Sequence, residues 1–191
     1  MEKTKDSNRI YEGKILNLRV DTVSLPGNRV ASREVIEHNG AAAVVAIDEK
    51  GRILMVRQYR YPMEEQLLEL PAGKIDRGES PQQCAFRELE EETGYRCESL
   101  KDLGVIYPAA AYLTEKVYLF YTDCLIPSHQ HLDEDEDITV EWLDFEDVLK
   151  MVLEGQIPDS KTQIGVLKAH RLLGEGKLRA FGRGDCVCFG V

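Results

Sequence analysis

Between residues 80 and 94 the chain spells out both ends of a helix. Ser80 is a favourable N-cap and Pro81 suits the first helical position. Gln83 completes a capping box with Ser80, and Gly94 supplies a natural stop. Inside these limits the charges break local rules. Glu88 and Glu92 are four residues apart and Glu91 is three from Glu88, so their carboxylates share one arc of helix surface. Like charges at that spacing cost ~0.2–0.5 kcal/mol per pair. Glu90, Glu91 and Glu92 also crowd the C-terminal end, where the helix dipole favours cations.

A solvated acidic face is one reading, since Glu is a strong helix former and Glu91 can pair with Arg87 one turn away. It leaves unexplained the loop before the helix, which adds another carboxylate, Glu79, and two glycines, Gly73 and Gly78. Local rules that fail together point to a functional site. A divalent cation would reward such a cluster. Carboxylate oxygens with no adjacent His or thiolate pair favour hard ions, Mg²⁺ first and Mn²⁺ second.

These residues resemble the Nudix box, G-x5-E-x7-R-E-U-x-E-E-x-G-U with U aliphatic. Gly73, Glu79, Arg87, Glu88, Leu89, Glu91, Glu92 and Gly94 fit at the required spacing, and Tyr95 stands where an aliphatic residue is expected. The resemblance implies an α/β fold, the Nudix α/β/α sandwich with a mixed sheet. It implies Mg²⁺, or Mn²⁺, held by Glu88 and Glu92 with help from Glu91 and the carbonyl of Ala72. Gly73, Glu79, Arg87 and Gly94 are then the structural positions of the box, with Arg87 pairing box carboxylates rather than substrate.

The resemblance extends beyond the box over most of residues 30–145. The runs HNGAAAVV from His38, QYR at residues 58–60 and ELPAG at residues 69–73 are similar to signatures of the ADP-ribose pyrophosphatases. Arg60 is the candidate diphosphate contact, because a guanidinium fork matches phosphate oxygens and stays charged; the alternative is an ordinary strand-end Arg. Arg57 is a second candidate. Glu115 matches an acidic residue that helps hold metal or the terminal ribose in the family, and the alternative is a solvated Glu at a strand start. The usual Ser-Pro-Gly turn is altered, with Pro108 two residues early and Ala110 in the usual place of the proline.

The acidic loop at residues 129–137 precedes a strand. Such charge runs are usually solvated, yet hydrolysis needs a group that takes a proton from the attacking water. Family members place a Glu at the end of this loop, and matching Glu136-Asp137-Ile138 selects Glu136, with Glu134 as the alternative. Glu91 joins them as a catalytic candidate.

Length and charge bound the rest. A chain of 191 residues fits one domain with an elaboration. A net charge of −10 argues against nucleic-acid binding, so a phosphate-rich substrate must be met by local cations and metal. No membrane-length apolar run or signal peptide is recognisable, which makes the cytoplasm the expected location and a membrane partner unexpected. The cysteines lack a disulfide-framework spacing and are expected as reduced thiols.

Along the chain, residues 1–8 read as a frayed end and residues 9–38 as alternating β structure around a Pro26-Gly27-Asn28 turn. Residues 41–47 and 53–59 read as a core hairpin. Further strands are expected at 103–107, 116–121 and 138–143, and packing helices at 145–154 and 160–173, where His170 is a surface residue rather than a ligand. The expected organisation is an N-terminal β lobe (1–40), a hydrolase domain (41–175) and a tail (176–191). By resemblance, the lobe forms a homodimer.

The expected activity is hydrolysis of a nucleoside diphosphate sugar, ADP-ribose first, to a nucleoside monophosphate and a sugar phosphate. GDP-mannose or UDP-glucose pyrophosphatase activity is the alternative of the same chemistry. A catalytically silent module that senses nucleotide sugars is the alternative of another class.

Overall fold

The protein is described by a computed structural model that covers residues 1–134 and 136–178 of the chain. An antiparallel sheet comes first, in the order β1 (Lys3–Glu12), β2 (Asn17–Ser24), β3 (Val30–Glu37). Then β4 (Ala41–Ala46), β5 (Arg52–Arg60), β6 (Glu65–Glu69) and β7 (Ala72–Lys74) lead into helix α1 (Pro81–Thr93). After it come β8 (Tyr95–Arg96), β9 (Lys101–Ile106), β10 (Val117–Thr122), β11 (Ile126–Pro127) and β12 (Ile138–Asp144). Helices α2 (Phe145–Leu153) and α3 (Ser160–Gly174) follow.

The centre is a mixed sheet in the order β7-β4-β10-β9, in which β4 and β10 run parallel and the outer pairs antiparallel. A second sheet, β12-β5-β6, is antiparallel throughout. Strand β4 is apolar on both faces because both are covered. Ala42, Val44 and Ala46 pack with Cys84, Ala85 and Leu89 of α1. Ala43 and Val45, with Ile47 just beyond, pack with Phe145, Val148 and Val152 of α2 and Val166 and Ala169 of α3. Helices thus cover both sides of the sheet, which is the expected α/β/α sandwich. Full burial of a side chain such as Leu89 contributes about 2 kcal/mol to holding α1 on the sheet.

Two sequence expectations are corrected. Residues 1–8 are not a frayed end: β1 begins at Lys3 and pairs with β2 from Lys3↔Ser24 to Glu12↔Asn17. Every residue of β1 is exposed, so no apolar period announces it. It is held by the backbone ladder and by polar links, with Ser7 Oγ donating to Asp21 at 2.6 Å and Arg19 pairing with the same carboxylate. Nor do β4 and β5 form a hairpin in one sheet. Both edges of β4 are already taken by β7 and β10, so β5 meets it only at the Ile47↔Ile53 bridge and pairs instead with β12 and β6.

Among the thiols, Cys84 and Cys97 are free and buried as expected, whereas Cys124 is disulfide-bonded, contrary to that expectation. Cys186, Cys188 and the rest of the tail beyond Leu178 lie outside the described residues. His170 is exposed on α3. Among the described residues no helix is long and apolar enough to cross a membrane.

Candidate active site

Strand β7 sets Ala72, Gly73 and Lys74 against Ala43, Ala42 and Ala41 of β4, and the chain then turns into α1, which packs back over β4 and β7. The helix begins as its sequence dictates. The Ser80 hydroxyl accepts from Gln83 N–H at 3.2 Å, and the Gln83 side chain accepts from Ser80 N–H at 2.9 Å. It ends at Gly94, whose φ of 70° is left-handed and whose N–H donates to the Glu90 carbonyl. A side chain at Gly94 would also crowd Gln130, 3.1 Å from its backbone nitrogen.

One cation organises the box. Arg87 Nε and Nη2 form a fork on Glu79 at 2.9 and 3.0 Å, and Nη2 also donates to the Lys74 carbonyl at 3.1 Å. Its Nη1 donates to Glu88 Oε1 at 2.7 Å and to Glu91 Oε2 at 2.9 Å. Arg87 therefore joins loop, helix and β7, and its donors are spent on protein. Glu79 also accepts from Asp76 N–H at 2.9 Å, which closes the loop before the helix.

The carboxylates on the sheet side of α1 are left in an unfavourable state. Glu92 is 3% exposed and accepts the Ala72 N–H at 2.8 Å. Burial pushes its carboxyl up to about 8 against the Ala72 hydrogen bond, and the charges of Glu88 and Glu136 add to the shift while Arg60 opposes it. Burial likewise pushes Glu88 up to about 7, opposed by Arg87 and reinforced by Glu91 and Glu136. The repulsion inferred from helical spacing is thus present, and burial enlarges it.

This donor set fits a hard divalent cation. Glu88 Oε2, Glu91 Oε1 and Glu92 Oε1 have no protein partner among the described residues, while the other oxygen of each is held by Arg87 or Ala72. Charge placed here would relieve the repulsion that raises Glu88 and Glu92. No three His, Cys, Asp or Glu side chains among the described residues are gathered into a ready-made cage. The carboxylates are close and oriented rather than already converged.

Glu136 is the acidic-loop residue that joins this field, since its charge acts on both Glu88 and Glu92. Its side chain accepts from Asp133 N–H at 3.2 Å and its N–H donates to the Asp133 carbonyl at 3.0 Å. Glu134 is exposed and is not among the main influences on either group.

The remaining candidates are committed to neighbours. Arg60 grips the buried Glu69 with Nε at 2.7 Å and Nη2 at 2.8 Å, and its charge also reaches Glu92. Arg57 pairs with Glu141, with Nε at 2.5 Å. Glu115 lies 3.4 Å from His38 Nδ1, the nitrogen that also accepts the Gly40 N–H at 3.1 Å. Among the described residues neither Arg57 nor Glu115 bonds a box carboxylate.

Several participants escaped sequence reasoning. Glu69 is 2% exposed and carries both Arg60 and Lys161. Lys161 also reaches Asp159 at 3.1 Å, and Asp159 caps α3 through Thr162, whose hydroxyl accepts the buried Leu70 N–H at 2.9 Å. The sequence signal was a carboxylate directly before the apolar Leu70-Pro71 pair, too slight without its distant partners.

Comparison with known proteins agrees with this geometry. The profile of the NUDIX domain matches residues 37–162, and that of the nucleoside diphosphate sugar hydrolase N-terminal domain matches residues 2–36. The chain is 39% identical over 167 residues to an ADP-ribose pyrophosphatase of Bacillus subtilis, covering 86% of this chain and 90% of the relative. It is 40% identical, over the same length and shares, to a methanol dehydrogenase activator of Bacillus methanolicus. A solved structure of an ADP compounds hydrolase superposes with a TM-score of 0.79 at 18% identity, over 93% of this chain and 97% of that one, a likeness of fold. With the box residues assembled around Arg87 and the domain profile spanning most of the chain, the protein belongs to the Nudix family.

Proposed function

We propose that the protein hydrolyses the diphosphate of a nucleoside diphosphate sugar, with ADP-ribose as the first candidate, giving AMP and ribose 5-phosphate. The observation that carries the reading is the carboxylate cluster of Glu88, Glu91 and Glu92, in which Glu88 and Glu92 are buried at a cost, Arg87 holds Glu88 and Glu91, and the Ala72 N–H holds Glu92. The name of the Bacillus subtilis relative and the match of the N-terminal profile support the substrate class.

Glu88, Glu92, Glu91 and the Ala72 carbonyl would hold Mg²⁺, or Mn²⁺. Bound there, the cation would neutralise charge that develops on the diphosphate and lower the pKa of a bound water. Glu136 accepts the proton of the attacking water as the new P–O bond forms, and the bridging oxygen leaves with its electron pair. Glu134 is the alternative acceptor. Arg60, oriented by Glu69, meets diphosphate oxygens; Arg57 and Glu115 are the outer substrate contacts. Residues 1–40 form a lobe through which two copies associate, residues 41–175 form the hydrolase domain, and the protein works in the cytoplasm.

The test is chromatography of products after incubation with Mg²⁺ and ADP-ribose, GDP-mannose or UDP-glucose separately, with EDTA controls. Preferential, EDTA-sensitive release of AMP from ADP-ribose is expected. Because the turn at Pro108 and Ala110 departs from the ADP-ribose pattern, preferential cleavage of another sugar nucleotide would move the substrate and keep the chemistry. No metal-dependent cleavage of any diphosphate would favour the silent sensing module.

A further inference from the structure

The C-terminal end of α1 has no basic residue in its last turn, so its free carbonyls need other partners. They find them in the segment that leads to Glu136. The Gln130 side-chain amide donates to the Glu92 carbonyl at 2.7 Å, and the His131 N–H donates to the Glu91 carbonyl at 2.9 Å. Just before them, Ser128 N–H donates to the Gly94 carbonyl at 2.7 Å and Ser128 Oγ to Glu90 Oε1 at 2.5 Å. The absence of a Cβ at Gly94 lets the two backbones run this close.

Beyond this anchor, Asp133 N–H donates to the Glu136 carboxylate at 3.2 Å. The chain then enters β12, where Ile138 is registered against Gln58 of β5. Glu136 is thus suspended between two fixed points. One is the ladder of the second sheet, and the other is the helix that carries Glu88 and Glu92.

We propose that Gln130 is a positioning residue for Glu136, tying the segment that carries the proton acceptor to the end of the helix that carries the box carboxylates. The proposal rests on the reading of Glu136 as that acceptor. Gln130 touches neither substrate nor reacting atoms. Its amide donates to a main-chain carbonyl of a ligand residue, so helix and acceptor move as one unit. Misplacement of a catalytic group by about 1 Å can cost up to ~100-fold in rate, and loss of this link leaves the segment, on the helix side, its backbone bonds and the Ser128–Glu90 contact that lies further from Glu136.

The experiment compares Gln130→Met, which keeps the volume and removes the donor, with Gln130→Lys, which restores a donor suited to a helix C-terminus. Both are made in the wild-type and Glu136→Gln backgrounds, with kcat and KM measured at saturating Mg²⁺ on the best substrate. Amide exchange at His131 is followed in the same full-length proteins. Gln130→Met should lower kcat about tenfold with KM unchanged, and His131 exchange should quicken by at least tenfold. Gln130→Lys should recover most of both. In the Glu136→Gln background, Gln130→Met should lower kcat no further, because the group it positions is gone.

Wild-type kcat in Gln130→Met would overturn the proposal. So would equal losses in the Met and Lys variants, or an undiminished Gln130 effect without Glu136. Full activity of Glu136→Gln alone would instead refute the assignment of Glu136, an outcome distinct from failure of the link.

Discussion

The Glu88 carboxylate occupies the space that a side chain at Gly73 would need. An added Cβ at Gly73 falls well inside 3.0 Å of the carboxylate carbon and both its oxygens. The glycine at the head of the box therefore leaves room for a carboxylate that is fifteen residues away in sequence but adjacent in space.

Substituting Gly73→Ala should separate folding from function. The obstructed group is the far end of a side chain, which can swing aside, so unfolding free energy should change by about 1 kcal/mol or less. Turnover should fall ~10–100-fold because Glu88 loses its orientation. Urea denaturation and steady-state kinetics on one preparation check both, and wild-type turnover would show that the position of Glu88 is immaterial.

Removal of Arg87 should cost stability as well as activity. Arg87→Ala strips donors from Glu79, Glu88 and Glu91 at once and leaves their charges facing one another. A loss of about 1–3 kcal/mol is expected. Arg87→Lys should recover little, because a point charge cannot form the fork on Glu79 while reaching Glu91. Denaturation midpoints of the two variants decide it.

Glu92→Gln should cut turnover by orders of magnitude while leaving the fold as stable or slightly more so. Gln can still accept the Ala72 N–H through its carbonyl, and the repulsion from Glu88 is removed. The pH dependence carries the sign. A carboxyl raised from 4.5 to about 8 on folding binds its proton more tightly in the folded state. Metal-free stability from this group is then full below about 4.5 and declines as pH rises towards 8. Melting of the EDTA-treated wild type should fall over that window more steeply than that of Glu92→Gln. Added Mg²⁺ should stabilise the wild type most at the alkaline end.

Glu69 gives the opposite sign. Burial disfavours its charge, but hydrogen bonds and charge from Arg60 and Lys161 outweigh that and hold it at about 2, below the usual 4.5. Its contribution, roughly 3 kcal/mol by linkage, is present above pH 4.5 and lost as pH falls towards 2. Glu69→Gln should flatten this part of the acid unfolding curve. At neutral pH it should destabilise the protein by a few kcal/mol, on the order of a broken buried ion pair. An unchanged acid limb would remove Glu69 from the account.

The sequence by itself determined the box helix, because its punctuation is local: Ser80, Pro81, Gln83 and Gly94 act within a few residues of one another, and all four act as read. It also determined that Glu88, Glu91 and Glu92 share a face, since helical period fixes that. Strands with apolar runs were legible for the same reason, whereas the first part of β1, before Arg9, was missed because polar residues held by a neighbouring strand leave no period. Only the tertiary structure decided what each charge meets. Arg57 reaches Glu141 and Arg60 reaches Glu69 across paired strands, Gln130 meets the end of α1, and Gly73 faces Glu88. These relationships join residues far apart in the chain through sheet order and register, so nothing in the local sequence encodes them.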